Sequence, residues 1–110
     1  MRLFLLACLG LALTALGAAC TPQRVTDSEF RGFCYTSGGG RNDSCDSISL
    51  CNDFDSMALA VKHASRQDCE KACDTVSASL TAANQFNGCL PVVVTGATWC
   101  HKYCLSNYPQ

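Results

Sequence analysis

The sequence predicts a small, disulfide-rich and mainly α-helical domain, with two Cys-x3-Cys helices cross-linked to each other, irregular loops and a place for one short strand pair. Three observations predict it. Ten of the 110 residues are cysteine, a density that reads as a disulfide framework in an oxidising compartment. Residues 1–19 have the form of an export signal, which delivers the chain to such a compartment. Cys69 and Cys73, and again Cys100 and Cys104, lie four residues apart, so each pair shares one face of a helix. A core this small is marginal alone, and cross-links of about 2–4 kcal/mol each supply what burial does not.

Met1-Arg2 is a minimal positive start, and Leu3 to Leu16 is almost wholly apolar before small residues follow. The run is shorter than the roughly 20 residues a membrane span needs. It also lacks the polar face of an amphipathic core helix. The expected organisation is therefore a signal peptide at 1–19, a polar tether at 20–29 and a disulfide-stapled domain at 30–110.

Within the domain, Phe30 to Tyr35 (FRGFCY) is aromatic-rich and is expected to pack or to form a short strand. Residues 36–44 contain three consecutive glycines, too permissive for helix or strand, and read as a loop. Residues 45–55 mix turn-formers with Ile48 and Leu50 and read as irregular, pinned by Cys45 and Cys51. Residues 57–64 (MALAVKHA) alternate like a strand, yet their alanines favour a helix, which is the assignment here. Ser65-Arg66-Gln67-Asp68 resembles a capping box. After it Cys69, Cys73, Val76, Leu80 and Ala83 line one helical face, with Gly88 as the expected stop. Residues 90–96 (LPVVVTG) read as an extended connector or strand, and Thr98 as the cap of a last helix over 99–106, closed by Pro109.

Cys8 leaves with the signal, and nine cysteines remain, an odd number. Cys34, Cys45, Cys51, Cys69, Cys73, Cys89, Cys100 and Cys104 form an even set of eight, with Cys20 left over. Two helices packed antiparallel would pair Cys69 with Cys104 and Cys73 with Cys100; parallel packing would swap the partners. Cys20 itself has three fates: a lipid, a disulfide that strands another cysteine, or a free thiol.

Leu16-Gly17-Ala18-Ala19-Cys20 resembles the lipobox of bacterial lipoproteins, with small residues before the cysteine and leucine at 16, where the family most often has it one place later. The resemblance covers residues 1–20 only. It implies cleavage before Cys20, a diacylglycerol thioether (palmitate-type acyl chains) on its sulfur, and a firm anchor, since several chains hold where one is marginal. Thr21 rather than Asp after the cysteine implies outer over inner membrane in enteric-type bacteria.

Other chemistries fare worse. From Cys20 onward, seven basic residues face nine acidic ones, a balance of −2, which gives no footprint for nucleic acid and no polybasic run for anionic lipid. No Cys-x-x-Cys, Gly-x-Ser-x-Gly or His-Glu-x-x-His occurs. Zinc at Cys100, His101 and Cys104 competes with disulfide formation, and Asn52 to Asp55 lacks the glycine and distal glutamate of a calcium loop. No cofactor, metal or catalytic residue is expected. Trp99, His101, Lys102 and Tyr103 form the one candidate recognition patch. The reading is a non-enzymatic, lipid-anchored envelope protein that meets an unidentified protein or envelope partner. Its rival is a freely secreted cysteine-rich effector, toxin or inhibitor.

Overall fold

The computed structural model describes residues 23–37 and 45–109, and the expected signal peptide, Cys20 and the glycine run lie outside them. The described chain is helical, with no strand among the described residues. Four helices follow in order: α1 (Asp27–Tyr35), α2 (Ser47–Phe54), α3 (Arg66–Ala83) and α4 (Leu90–Asn107). A widened π turn, Asp55–Leu59, extends α2.

Helix α1 replaces both the end of the expected tether and the expected strand. Its cause is in the sequence: Thr26-Asp27-Ser28-Glu29 is a capping box. The Glu29 N–H donates to Thr26 Oγ1 (3.1 Å) and the Thr26 N–H donates to Glu29 Oε2 (2.9 Å). Phe30 and Cys34, one turn apart, then point into the core. The tether is also held at Val25. Its N–H donates to Ser106 Oγ (3.0 Å), and Asn107 Nδ2 donates to its carbonyl (2.9 Å).

Helix α2 stands where irregular chain was expected. Asp46 caps it, accepting from the Ser49 N–H at 3.0 Å, and buries Leu50, Cys51 and Phe54. The helix expected over 57–64 is instead the π turn followed by bends and open chain. Ala60 donates back five residues to the Asp55 carbonyl at 2.8 Å, and the chain then leaves the helix.

Helix α3 begins as expected, with Ser65 Oγ accepting from the Asp68 N–H at 3.1 Å. It ends at Asn84 rather than Gly88. The buried Asn84 side chain donates to the Leu80 carbonyl (2.7 Å) and so satisfies one of the last open acceptors. Gly88 serves the following turn, at a φ of 78° that other residues rarely adopt. Helix α4 starts at Leu90, nine residues before the expected 99, so 90–96 is helix and not connector. Pro91 is compatible because it lies in the first turn, where no N–H is needed. Thr98 is mid-helix, its hydroxyl donating to the Val94 carbonyl at 2.9 Å.

Four disulfides join these elements: Cys34–Cys51 links α1 to α2, Cys45–Cys89 links the chain before α2 to the start of α4, and Cys69–Cys104 and Cys73–Cys100 link α3 to α4. The last two are the antiparallel pairing. α4 is the central element, packed on α3, α1 and α2. The core around it is short on large side chains. Phe30, Phe54, Val92 and Val93 are fully buried, and six half-cystines fill much of the rest. Sulfur here is packing material as well as cross-link.

Candidate interaction surface

Helix α4 decides where the expected patch residues go. Its buried stripe runs through Val92, Val93, Gly96, Cys100 and Cys104. Trp99 and His101 flank that stripe on opposite sides, because two helical residues turn about 200°. Trp99 leans on α1, where its ring stacks on Phe33 with centroids 4.0 Å apart and planes 3° from parallel. Lys102, one turn on, places its ammonium 4.2 Å from the centre of the Trp99 ring. His101 turns to α3 instead, its Nε2 2.8 Å from Asp74 Oδ1. Tyr103 lies on the α1 side, half-buried. Burial, helped by the Asp27 carboxylate, pushes its hydroxyl above the ordinary range.

The four residues therefore do not make one patch. Trp99 and Lys102 come together, and His101 is separate. The residue missed from the sequence is Phe33, half-exposed at 51% and 66 positions away from Trp99. Only the assignment of α1 as a helix brings it into register. Beside Phe33 the exposed side of α1 carries Glu29, Gly32 and Thr36, which line a shallow apolar recess.

The sulfurs of α3 and α4 form one buried cluster. Cys69, Cys73 and Cys104 Sγ lie within 4.8 Å of one another, with Cys73 and Cys104 Sγ 3.5 Å apart across two neighbouring bonds. Zinc requires thiolates, and each of these sulfurs is already bonded to another. A third feature is Phe86, 99% exposed, on the loop between α3 and α4 whose last residue, Cys89, is bonded to Cys45.

One buried charge needs a partner. Asp55, at the start of the π turn, accepts from Arg31 Nε at 2.8 Å and from Nη2 of the same guanidinium. The contact raises the Arg31 pKa further, through its hydrogen bond and charge, and ties α1 to the end of α2. No family model, curated protein or solved structure matches this chain.

Proposed function

We propose that the chain is an exported, lipid-anchored envelope protein whose stapled helical domain is a non-enzymatic binding or structural module. The observation that carries the reading is a count. Four disulfides take up all eight cysteines from Cys34 to Cys104, so none of them is left over for Cys20. A cysteine excluded from the domain's own bonds, directly after Ala18-Ala19, is where a lipid-modification site belongs. Dense disulfides accord with an oxidising compartment. No described helix is long and apolar enough to cross a membrane, and in this reading the lipid supplies the attachment, with the outer membrane favoured by Thr21.

For the domain, the stacked Phe33–Trp99 pair is the surface offered to a protein or envelope partner. Stacked aromatics bury area at little entropic cost, which suits recognition. Intact mass spectrometry of the mature N-terminus tests the anchor. A diacylated Cys20 at position one supports it, and an unmodified Cys20 or a start elsewhere overturns it. Fractionation gives the second arm. Soluble protein in the medium favours the secreted effector, toxin or inhibitor, for which the fully exposed Phe86 on the loop ending at Cys89 is the feature in favour.

A further inference from the structure

Gln23 lies three residues after Cys20 and lines the place where the chain meets the end of α4. Val25 is hydrogen-bonded to Ser106 and Asn107 at the end of α4. Around that junction lies an open cavity of about 480 Å³ whose lining includes Val25, Arg66, Lys102, Leu105 and Pro109. Leu105 is 56% exposed although apolar. Lys102 stands on one side of it, and Arg66 is anchored by a 2.9 Å bond from its Nε to the Tyr108 carbonyl. Arg24, exposed, lies in the chain between the lining residues Gln23 and Val25 and flanks the cavity without lining it. The sequence reads as weakly acidic overall, yet two cations and an exposed leucine line this cavity, with a third cation next to it in the chain where it enters the domain.

We propose that this face lies flat on the anionic headgroup layer of the bilayer, with Leu105 and the apolar cavity against the interface and Arg24, Arg66 and Lys102 on the lipid phosphates. The inference rests on the lipid anchor at Cys20. Three extended residues span about 11 Å at most, so an acyl anchor there keeps this face close to the surface. Long cationic side chains suit the position: their stems cover apolar surface while their heads stay with the phosphates. The occupant is thus the bilayer that carries the anchor, argued from where the chain enters and from charge complementarity.

The test uses the mature lipidated protein on vesicles, with the chain's single tryptophan moved to the face by Trp99→Phe and Leu105→Trp. Brominated phosphatidylcholine quenches a tryptophan that reaches the interface. With phosphatidylglycerol present, strong quenching is expected. In phosphatidylcholine alone it falls. Adding Arg24→Gln and Lys102→Gln on the anionic vesicles shifts the docked-to-undocked ratio by about thirtyfold, at roughly fivefold per cation. Co-sedimentation with the vesicles is read in parallel. Protein that sediments without quenching, or with equal quenching on both vesicle types, overturns the docked face and leaves the anchor standing. Protein that fails to sediment overturns the anchor and the docked face with it.

Discussion

The ring of Phe54 lies against the backbone of Gly96, so close that a Cβ at 96 would come within 2.6 Å of Phe54 Cε2 and 3.4 Å of Cys34 Sγ. This contact sets the approach of α4 to α1 and α2. Phe54 is fully buried and packs edge-on against Phe30, with centroids 6.4 Å apart and planes at 61°. Its ring therefore has little room to yield.

Gly96→Ala should destabilise the domain in spite of the better helix propensity of alanine. Propensity contributes up to about 1 kcal/mol in favour; overpacking costs about 1–3 kcal/mol, in the upper part of that range for a 2.6 Å approach to a buried ring, so a net loss of about 1–2 kcal/mol is expected. Phe54→Leu in the Gly96→Ala background makes room and should recover part of it. Urea titration of the three variants checks this, and a Gly96→Ala protein as stable as the parent would show that the helices can separate freely.

The two bridges between α3 and α4 should not contribute independently. Alone, each closes a long loop, of sequence separation 35 for Cys69–Cys104 and 27 for Cys73–Cys100, worth about 3–4 kcal/mol in chain entropy. With one in place, the other closes only the three-residue gaps along each helix. Replacing either pair by alanine should cost about 1–2 kcal/mol. Replacing both should cost more than the sum of the two. Equilibrium unfolding without reductant gives the three numbers, and strictly additive losses would contradict the nested-loop argument.

The cysteine pattern carries the fold class and the placing of each Cys-x3-Cys pair on one helix face, because i, i+4 spacing is a local property with one geometric meaning; the antiparallel packing is one of the two arrangements it allows. The misread segments have physical reasons too. In 90–96 the β-branched run and Pro91 suggested extended chain, but burial of Val92 and Val93 among the half-cystines outweighs that weak propensity, and proline is harmless in a first helical turn. For 26–29 the capping box is legible in the sequence, but the six helical residues after it, 30–35, are too few to show an amphipathic period clearly. In 57–64 alanine-rich composition suggested helix, whereas the chain spends those residues turning from α2 to α3. The Phe33–Trp99 contact was not legible at all, since it joins two helices whose register depends on the disulfides.

Phe33 should report on the interaction surface without being needed for the fold. Its removal exposes one face of Trp99, so Phe33→Ala should shift the tryptophan emission to longer wavelength. The stability loss should be about 0.5–1.5 kcal/mol, the usual value of an aromatic pair. Lys102→Gln should alter the same emission through loss of the cation over the ring, while His101→Gln should leave it unchanged, because His101 faces Asp74 on the far flank. Fluorescence of the three variants decides this. A shift from His101→Gln equal to that from Phe33→Ala would place both on one patch after all.

Alkaline conditions should weaken the fold through Tyr103. Its folded pKa is raised, by burial first and by Asp27 second, so the folded state holds the phenolic proton more tightly than the unfolded chain. The associated stability is fully present below the unfolded value of about 10 and is lost as pH rises through the folded value. Tyr103→Phe cannot ionise and should flatten the decline above pH 10. Thermal melts from pH 8 to 11 compare the two, and identical slopes would place the alkaline loss elsewhere.

Arg31 and Asp55 should behave as a coupled pair in which the carboxylate is the vulnerable partner. The Asp55 side chain is 12% exposed and that of Arg31 48%, so losing the guanidinium strands a nearly buried charge, whereas losing the carboxylate leaves an arginine that water can reach. Arg31→Leu should therefore lower the melting temperature at pH 7 more than Asp55→Asn does. The double variant should be more stable than Arg31→Leu alone, because it removes the stranded charge along with its partner. A double-mutant cycle at pH 7 measures the coupling. A coupling that is zero at pH 7 would mean that α1 is held to the π turn by Cys34–Cys51 and the Phe30–Phe54 contact, with no contribution from the ion pair.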